Sequence, residues 1–334
     1  MKTNTLVMAT ILSVFTVACK TTDISTPTPT TTTTTTSSYK GTGSVSQGVG
    51  KTTTVNLFPS GMRVAGLGTV TSTDSKTWTV PADVNFTNAS FPTASDLNNS
   101  YVSGHSYAST TAALAGLTGT GDIVTVDASG DIYTVFIFAD NYFEMYINGI
   151  PVGKDPVPYT NFNSNIIRFK AKKPFTVAVK CVDWEEHLGV GTEDDTKIGD
   201  GGFVAVFRDA TNKIVAVTNN TWKAQTFYTA PIADLACLTE SGTSRLSKNC
   251  ATQSGALTSY GVHWAVPTDW YNTAFDDSSW QAATLFTNST VGVDNKPAYT
   301  NFTDVFDNSS NDATFIWSSN LLLDNLVLLR KKIE

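Results

Sequence analysis

Apolar and polar residues alternate with a period of two over short runs along most of this chain, and turn residues break the pattern every few positions. The densest run is Ile132 to Phe138, β-branched or aromatic almost throughout. Asp140 and Asn141 interrupt it, and Tyr142 to Ile147 then alternates, with Phe143, Met145 and Ile147 on one face and Tyr142, Glu144 and Tyr146 on the other. That pattern predicts a half-buried strand. Asn148-Gly149 follows at once, and because both residues tolerate positive φ the pair predicts a type I′ hairpin turn.

Similar runs recur. Ile166 to Lys170 and Thr176 to Val182 alternate on either side of Pro174, while Phe203 to Phe207 and Ile214 to Thr218, joined by Asp209-Ala210-Thr211-Asn212, predict a second hairpin. Phe315-Ile316-Trp317 and Leu321 to Leu329 predict a final pair of strands, with Arg330, Lys331 and Lys332 as a solvated end. Pro151 to Asn165 reads as a Pro- and Asn-rich loop, Trp78 to Leu97 as short extended pieces, and Tyr107 to Leu117 as the only interior stretch with helical character. Many short strands, turn clusters and almost no helical period predict an all-β antiparallel β-sandwich. No repeat of fixed 20 to 50 residue period is present.

Three segments carry a family resemblance. The strand-turn-strand from Asp131 to Gly153, the stretch Asn220-Thr221-Trp222-Lys223 and the turn Phe275-Asp276-Asp277-Ser278-Ser279-Trp280 occur in that order, and together they resemble galactose-binding-like jelly rolls. These are sugar-binding sandwich domains attached to many glycoside hydrolases and lectins. The resemblance covers about Thr134 to Trp280. It implies that Trp280 packs on the core and that Asp276 and Asp277 cap their turn by accepting backbone N–H groups. Many members of that superfamily are packing modules or bind ligands other than sugar, so the site must be argued separately.

The first residues have a secretory shape: Lys2, an apolar run from Leu6 to Val17 too short to span a bilayer, and then Ala18 before Cys19. Val17-Ala18-Cys19 resembles the lipobox of bacterial lipoproteins, with Thr16 where leucine is usual, and implies that Cys19 becomes a lipidated N-terminus. The membrane would then be engaged by a lipid anchor alone. The expected location is outside the cytoplasm, tethered to the bacterial cell envelope at the outer membrane or cell surface. Lys20 to Ser38 is nearly all Thr, Ser and Pro, so residues 20–39 are expected to be a disordered linker. Residues 40–77 read as short strands or a loose extension, and 78–334 as the sandwich domain.

Composition narrows the chemistry. Only 15% of residues are charged and the formal net charge is -7, which argues against a nucleic-acid partner because phosphates demand a basic face. Gly48-Val49-Gly50-Lys51-Thr52 lacks a phosphate-loop glycine at position 45, which is Val45. There are three histidines, His105, His187 and His263, and neither HExxH nor GxSxG occurs, which argues against zinc and serine hydrolase chemistry. In an oxidising compartment Cys237 and Cys250, flanking a short polar loop, are the pair expected to bridge, with Cys181 a buried free thiol.

Two groups of residues could carry function. Asp183 to His187, Glu193, Asp194, Asp195 and Asp200 form an acidic, glycine-rich segment with three open readings: solvated loop charges with turn caps, a calcium site using Asp194, Asp195 and Asp200, or a carboxylate pair of a glycan-active enzyme. No EF-hand register is present, and no cofactor other than calcium is suggested. The second group is aromatic. Sugar rings stack their C–H faces on indoles while acids bind the hydroxyl edge, so Trp184 with Glu185 and Glu186, and Trp264 and Trp270 with Asp269, are the candidate ligand-binding residues on predicted loops. The expected function is non-catalytic binding of a glycan or polysaccharide. An adhesive envelope protein with a protein partner is the alternative from another class, and a glycan-active enzyme using residues 183–200 is a third.

Overall fold

The computed structural model describes residues 39–54, 57, 64–117, 122–157, 163–184, 191–192, 199–252, 258–307 and 313–334. Two eight-stranded sheets dominate. The first runs, in hydrogen-bonded order, Ser44–Gln47, Tyr260–His263, Lys223–Ile232, Asp324–Ile333, Phe175–Val182, Tyr142–Ile147 and Ile150–Lys154, with Gln281–Ala282 added against Lys223–Ile232. The second runs Thr284–Phe286, Phe315–Trp317, Gly202–Asp209, Asp131–Asp140, Asn163–Ala171 and Ser95–Asn99. Ile214–Val217 pairs with Gly202–Asp209 there, and Ile123–Thr125 lies parallel to Asn163–Ala171. Every other ladder in the two sheets is antiparallel, so the chain is an all-β antiparallel sandwich, compatible with a jelly roll.

The strand Tyr142–Ile147 forms as expected, and Asn148 and Gly149 sit at φ of 50° and 84° in the turn to Ile150–Lys154. It is not half-buried, however. All six of its residues are buried, because the first sheet is covered on both faces. Phe143, Met145 and Ile147 enter the core between the two sheets, and Tyr142 and Tyr146 enter a second core on the far side. The neighbouring strands divide in the same way: Val177, Val179 and Cys181 against Ala178 and Val182, and Val327 and Leu329 against Leu326 and Leu328. The cover on the far side comes from distant parts of the chain. It includes the three-stranded sheet of Lys51–Thr54, Leu67–Thr71 and Thr77–Val80, residues 81–91, and residues 264–280.

Other expectations change once tertiary packing is present. Pro151 and Asn163 to Asn165 belong to strands, which shortens the loop between them. Phe315–Trp317 and Asp324–Ile333 do not pair with each other; the first joins the second sheet and the last lies in the middle of the first sheet. Arg330 is therefore fully buried rather than solvated. Its guanidinium meets the Asp277 carboxylate at 2.7 Å, donates to the Trp270 and Asn272 carbonyls, and lies 5.1 Å from the Phe275 ring. That arrangement reassigns Asp277: Asp276 accepts the Ser278 N–H at 2.9 Å as the turn predicts, but the Asp277 side chain takes the arginine instead. The helix Thr110–Gly116 forms with Ser109 as its N-cap, and three single-turn helices, Asn288–Val291, Pro297–Thr300 and Thr303–Phe306, pack Tyr299, Phe302 and Phe306 against the second sheet. Their single turns are too short to show a 3.6-residue period in sequence.

Candidate functional site

The acidic residues Glu185, Glu186, Asp194 and Asp195, and the proposed lipidation residue Cys19, lie outside the described residues. Asp200 is partly buried, and together with Asp183 it adds to the effect of burial in raising the Asp140 carboxyl well above the usual range. Among the described residues no group of three or more His, Cys, Asp or Glu side chains is placed to hold a metal ion.

The three tryptophans expected on exposed loops are buried. Trp184 is 1% exposed, Trp264 5% and Trp270 3%. Trp184 donates its indole N–H to the Gly66 carbonyl at 2.7 Å and meets Tyr142 edge to face, so it is a core residue fixed by a segment more than a hundred positions away. Trp270 packs on Tyr146 at 5.6 Å between centroids, and its carbonyl holds Arg330. Asp269 is exposed beside it in the chain. The adjacent acids in the sequence suggested solvent; the indoles instead seal the far-side core, where their area is worth most. Trp280 packs on Phe227 and Phe275, as the resemblance implies.

Trp264 borders a cavity. The hollow measures about 360 Å³ and lies over the far face of the first sheet. Trp78, Pro81, Ala82 and Asp83 line one side, Phe227, Tyr228, His263 and Trp264 another, and Lys180 and Leu326 the sheet itself. Three of these rings are layered: His263 stacks on Tyr228 at 4.1 Å and on the partly exposed Trp78 at 5.3 Å. Burial pushes the His263 imidazole down to about 3, with the Ser44 backbone a weaker opposing influence, so the ring is neutral at physiological pH. Its two ring nitrogens and the Trp78 Nε1 are buried without hydrogen bonds of good geometry. Unmet hydrogen-bonding capacity of this kind costs about 1–3 kcal/mol per group, and both residues that carry it here line the cavity.

The polar end of the cavity is positioned by an ion pair within the sheet. Lys180 and Glu144 are directly opposite across the ladder, and the Lys180 ammonium lies 3.2 Å from the fully buried Glu144 carboxylate. Glu144 also accepts from both the backbone and side-chain N–H of Asn85 and from the Tyr142 hydroxyl. Its other cross-strand neighbour, Lys154, donates to the carbonyls of Asn85, Phe86 and Asn88 at 2.7, 2.7 and 2.8 Å. Lys180 completes the tie by donating to the Asp83 carbonyl at 2.9 Å. The segment 81–88, which walls the cavity, is thereby fastened to the sheet by charge rather than by strand pairing.

Trp264 is held from the other side. Its indole N–H donates to Glu240 at 3.2 Å, and the Arg245 guanidinium lies 4.8 Å from its ring and 4.5 Å from Phe227. Burial pushes Arg245 down to about 10, which leaves it a cation, and Glu240 supports the charge. Glu240 and Arg245 are cross-strand partners in the hairpin of Thr239–Ser241 and Ser244–Leu246, and the disulfide Cys237–Cys250 closes that hairpin at its base. Cys181 is the buried free thiol, raised by desolvation.

Compared with protein-family models, with curated proteins and with solved structures, the chain matches none. Trp78, Lys180, Tyr228 and His263 were not singled out in sequence. Lys180 did carry a signal: it occupies an inward position between Ala178 and Val182, where a charge is out of place unless it has a partner.

Proposed function

We propose that the protein is a non-catalytic binding sandwich that takes a carbohydrate in the cavity between Trp78, His263 and Trp264. The supporting observation is the composition of that wall: layered aromatic rings, unsatisfied ring nitrogens, and an ammonium and a carboxylate side chain at one end. A sugar ring presents apolar C–H faces and a hydroxyl edge, so it matches both parts of such a wall. The volume suits one or two rings rather than a long chain. The resemblance of Asp131 to Gly153 and Phe275 to Trp280 to galactose-binding-like domains supports the same reading, as does the shortage of groups for covalent or zinc hydrolysis. On this proposal Cys19 carries a lipid, residues 20–38 act as a spacer, and binding occurs outside the cell, at the envelope to which the chain is anchored.

A glycan array probed with the full chain tests the reading. Trp78→Ala is expected to weaken retention of the bound sugar at least tenfold with little change in melting temperature, because Trp78 is partly exposed and its indole N–H holds nothing in place. Unchanged retention by Trp78→Ala, or no retention of any neutral or charged sugar by the parent, refutes it.

A further inference from the structure

On a chain of net charge -7, one hollow is lined by the opposite sign. It measures about 360 Å³, and Lys223, Arg330, Lys331 and Lys332 border it against a single carboxylate, Asp277. Thr176, Thr221 and Thr273 border it as well. Through Thr221, Lys331 and Lys332 it continues into a second hollow of about 450 Å³ that follows the half-buried edge strand Ile214–Val217, where Glu334 adds one more acid. Neither hollow shares a residue with the aromatic cavity.

Two of the cations, Lys223 and Lys331, are held by uncharged oxygens. The Lys223 ammonium donates to the Trp280 carbonyl at 2.8 Å, and Lys331 to the Thr221 hydroxyl at 2.7 Å. Carbonyl and hydroxyl oxygens fix an ammonium group but leave its full charge to act on whatever enters. Among the described residues, Arg330 pairs with Asp277 and Lys332 with Glu334 at 2.7 Å, and the second pair is mostly exposed to solvent, where it is weak. Preorganised cations beside hydroxyl donors bind oxyanions, and an adjoining apolar track suits a ligand whose charged groups are carried on rings with C–H faces.

We propose that this groove binds the oxyanions of an acidic polysaccharide, its carboxylate or sulfate groups meeting Lys223, Lys331 and Lys332 and its ring faces lying along Ile214–Val217. The proposal does not depend on the aromatic cavity taking a sugar, since the two sites share no residue.

The test is affinity electrophoresis of the full chain in dextran sulfate, uncharged dextran and polyglutamate, with inorganic sulfate as competitor. Dextran sulfate is expected to retard the parent and uncharged dextran not to. Lys331→Gln with Lys332→Gln should raise the dissociation constant at least tenfold, while Lys51→Gln with Lys248→Gln, both exposed and remote from the groove, should change it less than twofold. Lys332→Glu, which replaces an exposed ion pair with two exposed like charges, should give the same direction of loss with little change in melting temperature. Displacement by millimolar inorganic sulfate supports an oxyanion site that free anions also fill; resistance to it supports a site needing the linked rings. Absence of retardation, equal weakening by the remote pair, or tighter binding of polyglutamate than of dextran sulfate overturns the proposal.

Discussion

His263 shows how one side chain can report on the site that encloses it. Unfolded, it titrates near the ordinary histidine value; folded, it is pushed down to about 3 between Tyr228 and Trp78. Between those limits the unfolded chain binds the additional proton. The stability His263 supports is therefore complete above pH ~6.5 and falls by about 1.4 kcal/mol per pH unit as pH drops toward 3. Asp140, Asp155 and Asp324 are raised by burial and work in the opposite sense over part of that range. Urea unfolding of the parent and of His263→Phe at a series of pH values isolates the histidine: the difference in unfolding free energy between the two should change with that slope below pH 6.5 and be flat above it. Parallel curves across the range would show that His263 is solvated in the folded protein.

At the scale of elements, the hairpin bracketed by Cys237 and Cys250 links covalent structure to the cavity. The bridge closes a separation of 13 residues, for which chain entropy gives about 3 kcal/mol. Cys237→Ser with Cys250→Ser is expected to lower the unfolding free energy by about that amount in urea titration. Sugar retention should weaken as well, because Glu240 and Arg245 lose the constraint that holds them on Trp264. The same scale shows what could be read from sequence. Tyr142–Ile147 with its Asn148-Gly149 turn, and Gly202–Asp209 with Ile214–Val217, are local pairings whose alternation and turn residues are contiguous, and both were legible. The burial of their faces was not. Tyr142 and Tyr146 looked solvent-facing because tyrosine and glutamate alternate with apolar residues, yet the layer that covers them comes from residues 64–91 and 264–280. Trp184 was misplaced for the same reason: its neighbours in sequence are acids, and its partner in space is Gly66.

For the whole molecule, attachment and recognition are separable. If Cys19 carries lipid, the full chain expressed in a bacterium should partition into the detergent phase of a cloud-point extraction, and Cys19→Ser should move it to the aqueous phase while leaving sugar retention intact. Recovery of the parent in the aqueous phase would remove the lipid from the proposal and leave the binding site untouched. That independence follows from the fold, since every residue of the aromatic cavity lies beyond position 77.

The strand Asp324–Ile333 follows every other strand along the chain but occupies the centre of the first sheet, between Lys223–Ile232 and Phe175–Val182. Without it, Lys223–Ile232 and Phe175–Val182 would face each other across a gap, each with an unpaired hydrogen-bonding margin. A chain lacking this strand would offer both margins to other molecules, the circumstance in which sheets join edge to edge and aggregate.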